Sequence, residues 1–286
     1  MSDRPTVKVN GTAVIRYNTL QIQTSTFKMQ CIHRHFNSLI TEYLELFPCI
    51  ALVGVRQSGK TTLLKQLPDA WKYYDLEKAS DLDVISNDPD LFFRLNTHLV
   101  AIDEAQLLPD LFPALRVAID SERNTPGRFV ITGSSSPQLL HSISESLAGR
   151  VAIIEISPFS IAEAFSREVS PVYDLIAKGA PIEVMANIPA RHSLQEIHKY
   201  WLKGGYPEPW LKNNERFSEL WFQNYQQTYI NRDIIHLFPN LDLQKYRLFI
   251  RLLSNLSGKI INYSEIARVV GVSQPTAREY LRIANG

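Results

Sequence analysis

The sequence predicts an α/β fold, a parallel sheet layered with helices, followed by a helical C-terminal region. Three observations carry this. Five apolar runs, at 50–53, 71–76, 99–102, 129–132 and 151–156, are separated by segments long enough to hold helices, and strands that alternate with helices build parallel sheets. The first run leads into a glycine-rich turn and then a helix-like stretch from Thr61. Beyond residue 194 the apolar spacing is helical.

In chain order, residues 1–28 show no sustained apolar period and are rich in Thr, Asn and Gln, which reads as a tail or loose strand, with Met29 as an alternative start. Ile32, Phe36, Leu39, Ile40, Tyr43, Leu44 and Phe47 then recur at helical spacing until Pro48, the mark of a helix packed on the sheet. The strands fall within a core at 29–165. Asp75 and Glu77, at the end of the second strand, either face the ligand edge or start the next helix. Residues 166–193 break up around Pro171, Gly179, Pro181 and Pro189, a linker or lid.

The region 194–286 opens with a helix over 194–202. After Gly204-Gly205-Tyr206-Pro207 a second stretch runs through Phe217, Leu220, Trp221, Tyr225, Tyr229 and Ile230. Aromatic residues at this spacing read as core before they read as a stacking surface. From Leu243 a helix is followed by Asn262-Tyr263-Ser264-Glu265 as a capping box, a short helix to Val270, Gly271 as its stop and a second helix begun by Ser273. This is helix-turn-helix syntax, and it makes the region winged-helix-like.

The chemistry is concentrated in the core. Gly54-Val55-Arg56-Gln57-Ser58-Gly59-Lys60-Thr61 matches G-x-x-x-x-G-K-[ST] at every fixed position, between a strand and a helix. Backbone N–H groups of Gly54, Arg56, Gln57, Ser58 and Gly59 are placed to curl around phosphate oxygens, Lys60 sets a charge on the β- and γ-phosphates, and Thr61, with Thr62 behind it, offers a hydroxyl to Mg²⁺. The bland alternative is a glycine-rich turn without a ligand. Because an unliganded lysine here is expected to face solvent, Lys60→Ala should abolish ATP affinity and leave the fold intact.

About fifty residues on, the apolar run ending in Asp103-Glu104-Ala105-Gln106 reads as a Walker B strand opening at the same sheet edge. Asp103 then holds Mg²⁺ through its water shell and Glu104 polarises the attacking water; the alternative is a solvated acidic pair at a helix start. The run 128–136 ends in hydroxyl residues, of which Thr132 and Ser134 are either sensors of the γ-phosphate or turn formers. Arg150 precedes the fifth apolar run. It reads as an arginine finger, as a sensor of bound nucleotide, or as a surface arginine capping a helix C-terminus.

Taken in order, G-V-R-Q-S-G-K-T-T, L-V-A-I-D-E-A-Q, F-V-I-T-G-S-S-S, S-L-A-G-R-V and I-S-P-F-S-I-A-E resemble the prokaryotic AAA-type P-loop ATPases that carry a C-terminal domain of unknown function. The resemblance runs from about Met29 to the end. It implies a P-loop NTPase core with an additional-strand sheet, in which a sensor strand separates the Walker B strand from the P-loop strand. It also implies the metal and water roles of Asp103 and Glu104. Arg232 and Asp233 resemble a family motif of unassigned role. Members of that family continue further, so the C-terminal module is expected to be incomplete here.

Composition narrows the alternatives. The 286 residues, 45% hydrophobic and 21% charged, suit two domains with a sizeable core. A net charge of +1 gives no whole-chain attraction to nucleic acid or membrane. Only Cys31 and Cys49 occur, without metal or disulfide spacing, which points to a reducing cytoplasm. No apolar run reaches the roughly 18 residues of a spanning helix, and the N-terminus lacks a signal-peptide core. His33 and His35 read as surface or core residues rather than ligands.

Three function classes compete. The first is a Mg²⁺-dependent ATP hydrolase that moves its C-terminal module with nucleotide state, with a DNA or protein partner and, if Arg150 acts in trans, a homo-oligomer. The second is a DNA-binding regulator with ATP as ligand. Between Leu243 and the end, seven Lys and Arg face two Glu, and Gln274, Thr276 and Arg278 would meet a groove. The third is a helicase, suggested by the Asp-Glu-Ala-Gln quartet, although the chain has room for one nucleotide-binding core.

Overall fold

Strand β1 (Cys49–Gly54) is buried along its whole length and is flanked on both sides by parallel partners, as a continuous apolar run requires. The computed structural model describes residues 32–134, 137–235, 238–256 and 258–285. The expected N-terminal tail, Met29, Cys31, Ser135 and Ser136 lie outside them, as do the side chains of Arg232 and Asp233.

Helix α1 (Phe36–Leu46) leads into β1, and α2 (Lys60–Leu64) follows the glycine-rich turn. Then come β2 (Lys72–Asp75), α3 (Ala79–Ser86), α4 (Pro89–Leu95), β3 (Val100–Asp103), a 3-10 turn at Ala105–Leu107, α5 (Leu111–Ser121), β4 (Phe129–Ser134), α6 (Pro137–Ser146) and β5 (Val151–Glu155). The five strands match the five apolar runs with ends shifted by a residue or two. Helix α1 starts at Phe36 rather than Ile32, leaving Arg34 outside the helix.

The sheet order is β2-β3-β4-β1-β5, all parallel. The sensor strand β4 therefore lies between the P-loop strand β1 and the Walker B strand β3. Registers of Gly54 with Ser134 and Asp75 with Asp103 bring the strand ends to one edge. Side chains alternate between two cores. Ala51 and Val53 pack with Phe92, Phe112 and Ile143 on one face, and Ile50 and Leu52 with Ile40 and Leu63 on the other.

After the sheet, α7 (Ile161–Ala164) begins with a capping box of Ser160 and Glu163. Two short helices, α8 (Val172–Ala177) and α9 (Ile182–Ala186), occupy the stretch between the prolines, and neither holds a buried residue. Next are α10 (Leu194–Lys203), α11 (Pro207–Lys212), α12 (Glu215–Thr228) and a wider π-type turn at Tyr229–Ile234. Trp221, Tyr225 and Tyr229 form a half-buried column of stacked rings, 5.0 and 6.0 Å between successive centroids, where a core position was expected.

Helices α13 (Leu243–Ser254), α14 (Tyr263–Val270) and α15 (Gln274–Asn285) close around a separate core of Tyr246, Phe249, Ile266, Val270, Ala277 and Tyr280. Asn262 caps α14 by accepting from the Ser264 and Glu265 amides at 3.1 and 3.3 Å, and Gly271 ends it in the left-handed region at φ 70°. The helix-turn-helix is present. All described strands belong to the core sheet, so the C-terminal region is helical.

Candidate nucleotide site

The turn after β1 needs glycine where the sequence places it. A Cβ on Gly54 would collide with the Ile156 carbonyl oxygen of the chain leaving β5, and Gly59 holds φ at 102°. Gln57 between them is also left-handed, at φ 61°. The result is a tight loop that runs into the N-terminus of α2, the kind of turn that can receive an anion. Ser58 Oγ, fully buried inside this loop, has no hydrogen-bond partner among the described residues.

Lys60 departs from expectation. Its side chain is 5% exposed, and Nζ donates to the carbonyls of Gly54 and Val55, both at 3.0 Å. The lysine is folded over the loop rather than facing solvent. Burial holds its ammonium below the ordinary range, partly offset by the charges of Glu104 and Asp103.

Asp103, at the end of β3, is 2% exposed with both oxygens engaged. Oδ1 accepts from the hydroxyl of Thr132 on β4, and Oδ2 accepts from the phenol of Tyr73 on β2 at 3.0 Å. Thr132 Oγ1 in turn accepts from the Glu104 amide at 3.3 Å. Thr132 thus touches the Walker B pair directly. Burial, then the Asp103 carboxylate, pushes the Tyr73 phenol well above its usual range. Glu104 sits in the left-handed region at φ 57°, and its Oε2 accepts from the Gln106 amide.

The oxygens of Thr61 and Asp103 are a hard donor set suited to Mg²⁺, and they are the residues that would hold it. Ser134 stands half-buried at the end of β4 opposite Gly54. Asp75 turns to a helix-start role instead of the ligand edge: its carboxylate accepts from the Glu77 amide at 3.1 Å and pairs with Lys78 at 3.7 Å.

Arg150 is not part of this constellation. It precedes β5 at the edge opposite the P-loop, where Nε and Nη2 grip Asp120 at 2.7 and 2.9 Å and Nη1 donates to the Ala148 carbonyl at 3.1 Å. The five residues of β5 separate Arg150 from the edge that carries the P-loop. In the tail, Gln274 and Arg278 share an exposed face of α15, with the Arg278 guanidinium 4.8 Å from the Tyr263 ring centroid. Thr276 points elsewhere. It lines a groove with Phe238, Asp242 and Lys245, its hydroxyl 2.7 Å from Ser273 Oγ.

Residues with no role at the site assigned from the sequence brace the loop. Arg34 donates to the Ser58 carbonyl at 2.8 Å and the Ser157 carbonyl at 2.6 Å, and pairs with Glu163 at 3.0 Å. Tyr225 of α12 donates to the Arg56 carbonyl at 3.4 Å and contacts the Tyr206 hydroxyl at 3.2 Å. Pro207 lies against Gly59. The only sequence signals were the I-S-P-F-S-I-A-E and Gly-Gly-Tyr-Pro segments that carry their partners.

Comparison with known proteins agrees with this layout. Residues 47–165 match a family model described as an AAA domain, and residues 194–285 match one described as a domain of unknown function. An uncharacterized protein of Mycobacterium tuberculosis is 31% identical over 268 residues, covering 91% of this chain and 54% of that protein. One from Methanocaldococcus jannaschii is 25% identical over 232 residues, covering 77% and 49%. The chain thus spans about half the length of the curated relatives it matches. Among solved structures, a Walker-type ATPase of Pyrococcus abyssi superposes with a TM-score of 0.50 at 17% identity, covering 90% of both chains, which is a likeness of fold.

Proposed function

We propose, from the premise that this chain is an AAA-type P-loop protein followed by a domain of unknown function, that it hydrolyses ATP with Mg²⁺ and uses nucleotide state to move its C-terminal helices. The observation that carries the reading is the gathering of Lys60, Asp103, Glu104 and Thr132 at the ends of three adjacent strands.

In this reading the P-loop amides bind the phosphates, and Lys60 leaves the Gly54 and Val55 carbonyls to meet the β- and γ-phosphates. Thr61 and Asp103 would hold Mg²⁺, which would supply positive charge beside the phosphate oxygens. Glu104 accepts a hydrogen bond from water and orients it for attack on the γ-phosphorus; as the water oxygen bonds to phosphorus its proton passes to Glu104, the bond from the γ-phosphorus to the bridging oxygen breaks with its electron pair left on ADP, and ADP and phosphate leave. Tyr225 and Pro207 touch the same loop from the C-terminal side, so a loop that rearranges around phosphate changes the surface on which α11 and α12 rest. Phosphate release by purified protein, lost in Lys60→Ala, tests the reading; equal release by both contradicts it.

A second reading, a duplex-DNA regulator, is favoured by the exposed face shared by Gln274 and Arg278 on the second helix of the helix-turn-helix. Arg282 on the same helix is spent on Glu279, at 2.6 Å. Anisotropy titration of labelled duplex across salt concentrations decides it. Salt-sensitive binding that Arg278→Ala weakens by about 1–3 kcal/mol supports DNA reading; no binding at moderate salt ends it.

A further inference from the structure

Glu104 is the group assigned to water, yet nothing about a left-handed residue at a strand end holds its side chain in one direction. The structure supplies that hold two residues later. Gln106 lies in the 3-10 turn that follows β3, and its Nε2 donates to Glu104 Oε2. The other half of the same amide, Oε1, is buried without a hydrogen-bond partner among the described residues. It presses on Gly133 of β4, where any Cβ would collide with it and with Leu139.

These facts fit together physically. A surface glutamine would be solvated, whereas burying an amide oxygen unpaired costs free energy that local packing does not return. Gly133 is the position that lets the amide pass between the turn and the sensor strand. The backbone end of Glu104 is held separately, through its amide to Thr132. Glu104 is therefore fixed at both ends, by β4 and by the turn.

We infer that Gln106 is the positioning residue for the water-orienting carboxylate, acting through Glu104 and not on the nucleotide. The inference rests on the hydrolytic reading above and deepens it. It assigns the glutamine of the Asp-Glu-Ala-Gln quartet a task inside one nucleotide core, without a second motor domain.

The test uses the full chain and three variants: Gln106→Met, which keeps the volume and removes the donor, Glu104→Gln, and the two combined. Turnover, affinity for a non-hydrolysable ATP analogue, and affinity for ADP with aluminium fluoride and Mg²⁺ as a mimic of the transition state are measured for each. Gln106→Met should lower kcat by on the order of tenfold to a hundredfold, weaken the transition-state mimic by the same factor, and leave analogue affinity within about threefold. In the Glu104→Gln background, Gln106→Met should weaken the mimic no further, since the two act as one unit.

Unchanged kcat in Gln106→Met, parallel loss of analogue affinity, or independent losses in the combined variant would each overturn the inference. Failure of the underlying reading looks different. There, Glu104→Gln itself turns over at the wild-type rate or the wild type does not hydrolyse ATP, and the inference falls with it.

Discussion

Arg34 and Glu163, 129 positions apart, form an ion pair of 3.0 Å with both side chains almost wholly buried. The same guanidinium holds the carbonyl of Ser58, so the pair ties the phosphate loop to the cap of α7. Breaking a buried pair by removing one partner leaves an uncompensated charge and typically costs about 3–5 kcal/mol. Arg34→Met and Glu163→Gln should therefore each lower the denaturation midpoint, and Arg34→Met should also weaken ATP. Calorimetry on both variants checks this; an unchanged midpoint would remove the pair from the account.

The same site sets a pH dependence. Burial pushes the Glu163 carboxyl up, but the Ser160 and His35 amides and the Arg34 guanidinium outweigh it and leave the group below its usual range. A depressed folded value contributes stability above the unfolded value, about 4.3 for Glu, and loses it as pH falls through the folded value. Thermal melts should show wild type losing more stability than Glu163→Gln between about pH 5 and pH 2. Parallel curves for the two proteins would contradict the assignment.

Lys60→Met separates ligand binding from folding. Burial already disfavours the ammonium in the folded protein, so an apolar side chain of similar length should change stability by less than about 1.5 kcal/mol while ATP binding is lost. Titration calorimetry paired with thermal melts reads both. A variant that binds ATP normally, or that unfolds, counts against the geometry described.

The Tyr73 phenol donates to Asp103 Oδ2 at 3.0 Å. If Asp103 serves Mg²⁺, Tyr73→Phe should shift the Mg²⁺ concentration needed for half-maximal ATP binding by about tenfold or more, the effect of losing a hydrogen bond to a charged group, about 1.5–3 kcal/mol. Binding in the absence of Mg²⁺ should be unaltered. An identical Mg²⁺ titration would leave Tyr73 as a packing residue.

How much of this was legible beforehand depended on the range of the signal. The turn from Gly54 to Thr61 and the stop at Gly271 are local, so residue type and spacing sufficed. The order of strands was available only through the family resemblance, because apolar runs do not say which neighbour each will take. Arg34 on Ser58 and Tyr73 on Asp103 join segments 24 and 30 residues apart. Neither has a pattern of its own: Arg34 sits before a helix among ordinary polar residues, and Tyr73 reads as a strand aromatic. The depth of Lys60 was missed for a related reason, since its two partners are backbone carbonyls, which no side-chain sequence records. Arg150 was ambiguous because its place beside an apolar strand does not tell which edge of the sheet it occupies.

An arginine-finger role for Arg150 is open only toward a neighbouring subunit. In that role its hold on Asp120 must be exchanged for a phosphate of the next chain. Specific ATPase activity should then rise with protein concentration, and Arg150→Ala should remove the rise while each chain still binds ATP. Concentration-independent activity, equal in the variant, would leave the Asp120 pair as its whole function.

In the hydrolytic reading, Glu104 turns a bound nucleotide into a reacting one. Its most direct test is ATP binding and phosphate release measured side by side on wild type and Glu104→Gln in the presence of Mg²⁺. Comparable ATP affinity is expected in both proteins, with release by wild type and a fall of at least about 100-fold in the variant. Equal release from the two proteins would contradict it.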